Sequence, residues 1–289
     1  MKKMILSCGD YNLTLGNRTL IMGIINVTPD SFSDGGRFFS EENAVAQARK
    51  LAEQGADILD IGGESTRPFS DAVSTKEEIK RVVPVIKRIA ATTPLPISID
   101  TTKAAVARQA VDAGASIIND VSAMRMDPSM AQTAAETGLP IILMHMKGSP
   151  KTMQVDPSYD DLIGEIKAFL SRAIEKAMAS GVKKSSIIID PGIGFGKTLR
   201  HNFILIQKLK AFEELGTPIL MGPSRKKFIR SLLKDSSAED IDPGLPCVET
   251  GTQAAVAASA LNGAHIVRVH NVSDTVATLK IIDAIKNAA

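Results

Sequence analysis

A short apolar run ending in a polar residue, then an amphipathic stretch, recurs eight times along this 289-residue chain. The runs are Leu20–Ile25, Ile58–Ile61, Ile97–Ile99, Ile117–Ile118, Ile141–Met144, Ile187–Ile189, Ile219–Met221 and Ile266–Val269. Most are too short for helices and rich in β-branched side chains, as strands buried on both faces should be. Helical signals fill the gaps. Ser74 and Glu77 have capping-box spacing, and Ile79, Val82, Val83, Ile86 and Ile89 mark one face at helical period. Ala44, Val45, Ala48, Leu51 and Ala52 do the same, with Gly55 placed to stop that helix. Gly114, Gly181 and Gly263 repeat the stop before later strands.

Alternating strand and helix implies parallel pairing, and eight rounds imply closure into one barrel. The expectation is therefore α/β: a single-domain (β/α)₈ TIM barrel over residues 1–289, a fold that takes about 250 residues. A doubly wound open sheet would carry a phosphate-binding glycine turn after its first strand; this chain has none there. Residues 4–20 are expected to form a short hairpin beneath the barrel, and 234–248 read as a loop-like insertion.

Composition narrows the partners. With 44% apolar residues but nine Phe, two Tyr and no Trp, the core must be built from Ile, Leu, Val, Ala and Met. The net charge of +2 comes with no basic block, which argues against nucleic acid. Cys8 and Cys247 lack a partner at CxxC spacing, so a reduced compartment is expected. No apolar run approaches a membrane span, and the opening MKKMILSCGDYNLTL is too polar for a signal peptide. A cytoplasmic protein without membrane association is the expectation.

In such a barrel, chemistry gathers at the C-terminal ends of the strands. Asp100, Asn119 and Asp190 end the third, fourth and sixth strands, and Ser224-Arg225-Lys226 follows the seventh. Two carboxylates and an amide can accept hydrogen bonds from the N–H edge of a flat heterocycle, with Lys226 donating to its carbonyl or ring nitrogen. The competing reading of each is a helix cap. Thr66, Arg67, Arg268 and His270 form a second group, cationic or donating, that suits an anion. Arg268 and His270 stand two apart, so they share one side of a strand end. The four histidines show no zinc-ligand spacing; a magnesium ion held mainly by substrate oxygens remains open. Pro191-Gly-Ile-Gly-Phe-Gly-Lys-Thr198 lacks the first glycine of a P-loop. It reads as a flexible loop carrying Phe195 over the pocket.

Longer motifs carry a resemblance. Met22–Gly36 (MGIINVTPDSFSDGG) and LDIGGESTRP at 59–68 resemble the two signatures of the dihydropteroate synthases. SID ending at Asp100, IND ending at Asn119, HMKGSPKTMQ from His145, DPGIGFGKT from Asp190, SRK ending at Lys226 and RVH ending at His270 match in order.

That resemblance implies condensation of 6-hydroxymethyl-7,8-dihydropterin diphosphate with para-aminobenzoate, giving 7,8-dihydropteroate and diphosphate for folate biosynthesis. It implies a pterin site of Asp100, Asn119, Asp190, Lys226 and Arg268. The diphosphate would meet Asn26, Thr66, Arg67, Arg268 and His270, with Asn26 holding Mg2+. Aminobenzoate would lie by Thr66, Pro68, Phe195, Ser224 and Lys226. Asp34, in the loop after the first strand, is a candidate catalytic-loop residue, with loop closure excluding water. A homodimer is implied, with the helices after strands six to eight as candidate contacts. Two other readings are a corrinoid-dependent methyltransferase barrel, which has no diphosphate to hold, and an inactive pterin-binding paralogue.

Overall fold

The computed structural model of the chain describes residues 3–28, 36–65, 72–148, 153, 156–235 and 239–288, with 36–40 described as backbone. Strands β1 (Met4–Cys8) and β2 (Tyr11–Leu15) pair antiparallel as a hairpin. Eight strands follow: β3 (Leu20–Asn26), β4 (Ile58–Gly62), β5 (Ile97–Asp100), β6 (Ile117–Asp120), β7 (Ile141–Met144), β8 (Ile187–Asp190), β9 (Leu220–Met221) and β10 (Ile266–Val269). They run parallel in the order β8-β7-β6-β5-β4-β3-β10-β9. A parallel bridge between Ile189 and Ile219 brings β8 back to β9 and closes the barrel.

Several strands extend past their apolar runs to take in the polar residue beyond. Asp100 pairs with Asn119 across β5 and β6, and Met144 with Asp190 across β7 and β8. These polar residues are rungs of the ladder, so barrel closure itself fixes their backbones.

Outside lie α1 (Gly36–Glu53), α2 (Thr75–Ala90), α3 (Ala104–Asp112), α4 (Met130–Thr137), α5 (Leu162–Ala179), α6 (Leu199–Gln207), α7 (Lys227–Leu233), α8 (Pro246–Leu261) and α9 (Val272–Lys286). None of these helices is long and apolar enough to cross a membrane. Ser74 caps α2 by accepting from the Glu77 N–H at 3.2 Å. The Glu77 carboxylate turns instead to Arg81, so the described capping box is the one on α6, between Thr198 and His201. Proline 246 opens α8, so the last part of the 234–248 insertion is helical.

Side-chain alternation sorts the strands into two cores. Ile21, Leu59, Ile61, Ile99, Ile118, Leu143, Ile189 and Val267 face the helices. Leu20, Met22, Ile58, Ile117, Ile142, Ile188, Leu220 and Ile266 point inward at the lower end, where Leu6, Cys8 and Leu15 of the hairpin pack beneath them. Each such side chain contributes roughly 1.5–3 kcal/mol on burial. Two residues on, Ile58, Ile117, Ile188 and Ile266 give way to the polar Asp60, Asn119, Asp190 and Arg268, and on β5 Asp100 stands two residues beyond buried Ser98. The barrel is thus apolar and plugged below, polar above.

Candidate active site

The polar rung is tied together through Arg268. Its Nε donates to Asp60 Oδ2 at 2.6 Å and its Nη2 to Asp100 Oδ2 at 2.8 Å. Asn119 Nδ2 lies 3.3 Å from the same Asp60 oxygen. Asp60 is fully buried; it lies inside LDIGGESTRP at 59–68, but none of the expected site groups includes it. The signal was present: in Ile58-Leu59-Asp60-Ile61-Gly62, alternation puts a carboxylate inside an apolar strand, where it demands a partner.

Asp100 does not cap α3; Lys103 occupies that position, and Thr101 accepts the Lys103 N–H at 3.2 Å. One Asp100 oxygen is held by Arg268, while Oδ1 is buried with no hydrogen-bond partner among the described residues. Burial pushes the Asp100 carboxyl up to about 7; Arg268 opposes the rise, and Asp60 beside it adds to it. Burial likewise raises Asp190 to about 6, against the pull of the Gly192 N–H and of Lys226. Two glycines face this rung. A Cβ on Gly62 would lie 3.6 Å from that of Asp100, and one on Gly222 3.8 Å from that of Arg268. Missing side chains there leave room for a flat ring against the carboxylates.

The loop after β8 is pinned rather than flexible, contrary to what its glycines suggest. Asp190 accepts the Gly192 N–H at 2.7 Å, Asn202 accepts the Gly194 N–H at 2.7 Å, and Tyr159 donates to the Gly196 carbonyl at 2.8 Å. Phe195 is buried against Val121, Met144, Met146 and Met153. Lys226 Nζ stands 4.0 Å from the centre of its ring, a cation–π contact worth about 0.5–2 kcal/mol. At the neighbouring strand end Ser224 Oγ lies 2.9 Å from His270 Nδ1. That contact joins a residue expected on the aminobenzoate side to one expected on the diphosphate side.

Asn26 ends β3 half-buried. Among the described residues no cluster of three or more His, Cys, Asp or Glu gathers. Surface crevices of about 460 and 450 Å³ flank α1 outside this rung, lined by Asn26, Asn43, Gln47 and Lys50 and by Lys50, Arg225 and His270. Both crevices reach expected site residues, Asn26 in one and His270 in the other. Thr66, Arg67, Pro68 and Asp34 lie outside the described residues.

The comparisons agree with this geometry. Residues 22–270 match the family of pterin-binding enzymes. The dihydropteroate synthase of Synechocystis is 46% identical over 270 residues, covering 93% of this chain and 91% of its own length. The Xanthomonas albilineans dihydropteroate synthase structure with 4-aminobenzoic acid superposes with TM-score 0.89 at 44% identity, covering 99% of each chain. Its structure in complex with 7,8-dihydropteroate gives 0.87 at 43% identity, covering 98% of this chain and 99% of that one. The chain belongs to the dihydropteroate synthase family.

Proposed function

We propose that this chain joins 6-hydroxymethyl-7,8-dihydropterin diphosphate to para-aminobenzoate, releasing diphosphate and forming 7,8-dihydropteroate in folate biosynthesis. The observation that carries the reading is the buried Oδ1 of Asp100, which has no hydrogen-bond partner among the described residues and sits on the residue paired with Asn119 across β5 and β6. A buried acceptor left unpaired costs about 1–3 kcal/mol, which a donor-rich heterocycle would recover. Related structures were solved with 4-aminobenzoic acid and with 7,8-dihydropteroate.

In this reading Asp100 and Asp190 accept N–H bonds from the pterin, and Asn119 orients it. Lys226 donates to the ring carbonyl or a ring nitrogen. Holding the electron-rich ring against carboxylates favours positive charge on its methylene carbon. The carbon–oxygen bond to diphosphate breaks with its electron pair on the departing oxygen, the amine nitrogen bonds to the carbon, and the amine loses a proton. Arg268 on β10 and His270 just beyond its end would face the leaving group, joined by Thr66 and Arg67, and stabilise the charge that builds there. Phe195, Ser224 and Pro68 would wall the aminobenzoate. Asp34 would act from the loop after β3.

Magnesium would supply a Lewis acid for the diphosphate oxygens. The donor set fits: Asn26 offers one amide oxygen, and magnesium usually takes only one or two protein ligands beside substrate phosphates. A homodimer is proposed on the exposed Leu199 and Phe203 of α6 with Leu232 and Leu233 of α7. A cytoplasmic location is proposed on the two free, unpaired cysteines.

The test is diphosphate release from the pterin diphosphate with magnesium, in the presence and absence of para-aminobenzoate. Release should require the amine and should vanish in Lys226→Ala and Arg268→Ala. Tight pterin binding with no release would leave only the fold and the pterin pocket standing.

A further inference from the structure

Lys197 is deeply buried and takes no part in the chemistry above. Its side chain is 3% exposed, and among the described residues no carboxylate lies within ion-pair distance of it. Nζ instead donates to the Phe195 carbonyl oxygen at 3.0 Å and lies 3.0 Å from His145 Nδ1, two uncharged partners. An ammonium buried without a hydrogen-bonded carboxylate is an expensive arrangement. Burial pushes Lys197 down to about 7, with Lys226 adding to the fall and Asp190 opposing it. Burial and the neighbouring Lys197 drive His145 down to about 2, so its ring stays uncharged.

Geometry says what the lysine holds. The His145 N–H donates to the Asp190 carbonyl at 2.9 Å, and its ring meets Phe169 edge-on at 4.8 Å. His145 is therefore a fixed seat at the end of β7. From that seat Lys197 reaches the carbonyl of Phe195, whose ring carries the Lys226 ammonium. One residue earlier, a Cβ on Gly194 would stand 3.1 Å from Lys226 Cδ, so the loop backbone also lies along the stem of Lys226.

We infer that Lys197 is a positioning residue for the transfer reaction: seated on His145, it fixes the Phe195 carbonyl and thereby the loop against which Lys226 and the amine substrate are set. The inference rests on the synthase reading for the identity of that amine. A buried charge of this kind costs folding free energy, and strain of that sort persists where a site uses it. Lys197→Met keeps the chain's length and apolar stem while removing the charge and the donor. It should relieve that cost and damage the site at once.

The experiment compares wild type, Lys197→Met, Phe195→Leu and the double variant in amine-dependent diphosphate release and in thermal melting. Lys197→Met should melt at or above wild type. Its KM for para-aminobenzoate should rise about fivefold or more with kcat also reduced, and pterin affinity by calorimetry should stay within about twofold. The loss caused by Lys197→Met should be smaller in the Phe195→Leu background than in wild type, because part of the lysine's effect passes through that ring. Unchanged kinetics in Lys197→Met would overturn the inference. So would a lowered melting point with losses that multiply those of Phe195→Leu, the pattern of a lysine serving only stability. Failure of both Lys197→Met and Lys197→Gln to fold would count against it equally. If wild type itself releases no diphosphate, the synthase reading fails first, and that is seen before any variant is compared.

Discussion

Arg268 Nε and Asp60 Oδ2 stand 2.6 Å apart inside the barrel, joining β10 to β4 across the intervening strand β3. Asp60 is fully buried, and it also takes the amide of Asn119. One carboxylate thus orients both a cation and an amide of the proposed pterin site.

Removing that carboxylate should cost both stability and turnover. Asp60→Ala leaves Arg268 with Asp100 alone and strips Asn119 of its acceptor. Breaking a buried pair from one side costs about 3–5 kcal/mol; the retained Asp100 contact puts the expectation near the lower figure. Urea unfolding would measure it, and amine-dependent diphosphate release should fall at least about 100-fold. A midpoint equal to wild type would show that Asp60 holds neither partner.

Alternation explains why the fold was legible and Asp60 was not. Eight apolar runs with polar ends and glycine stops between them are local patterns, and parallel closure follows from their number. Asp100, Asn119 and Asp190 stood out because each directly follows its strand's apolar run. Asp60 sits inside its run, and its significance depends on Arg268, 208 residues away. Lys197 and His145 were hidden in the same way, since their contact crosses from the end of β7 to the loop after β8. The loop's rigidity was hidden too. Glycines signal left-handed turns, but the acceptors that pin them come from Asn202 on α6 and Asp190 on β8, with the Tyr159 hydroxyl as a donor.

Ligand affinity should depend on pH with a definite sign. Burial raises Asp100 to about 7 and Asp190 to about 6, so each is protonated below those values. A protonated carboxyl loses its charge and turns an O–H toward one of the N–H donors it would otherwise accept from, so it pairs with them less well. Pterin affinity should therefore be full above about 7 and be lost as the pH falls through 7 to 6. Stability of the ligand-free chain should move oppositely, because a raised carboxyl pKa contributes stability at low pH that disappears as the pH rises through it. Calorimetric titration with a pterin between about pH 5 and pH 9 would read the first effect. Asp190→Asn should remove the lower step. A flat affinity profile would show that neither carboxyl changes charge in that range.

Two glycines make a matched test of backbone geometry. Gly192 has φ +70, and a Cβ there would fall 1.8 Å from the His145 carbonyl oxygen. Gly138 has φ +65 and nothing within 4 Å of its would-be Cβ. Gly138→Ala should cost only the left-handed penalty, about 1–2 kcal/mol, with kinetics unchanged. Gly192→Ala must displace the loop that carries Phe195, so turnover should fall at least about 100-fold beyond any change in stability. Equal kinetics in the two variants would mean that the close approach to His145 has no bearing on the site.

The last test concerns the base of the loop that runs from β4 to α2. Lys103 Nζ bonds Glu64 Oε2 at 2.5 Å and Glu78 Oε2 at 2.6 Å, and Glu78 is fully buried. Glu64 Oε1 accepts the Val73 N–H at 2.8 Å, so the same network fastens residues on both sides of 65–72. Lys103→Met leaves a buried Glu78 without its cation and should destabilise the chain by about 3–5 kcal/mol. Glu78→Gln keeps the shape and removes the charge; it should cost about half as much, since Lys103 still pairs with Glu64. The double variant, Lys103→Met with Glu78→Leu, should recover most of the loss, because the unpaired buried charge carries the cost rather than the missing bond. Chemical denaturation of the three variants would decide it. If the double variant is no more stable than Lys103→Met, the ion pair contributes through geometry at the loop base and not through compensation of a buried charge.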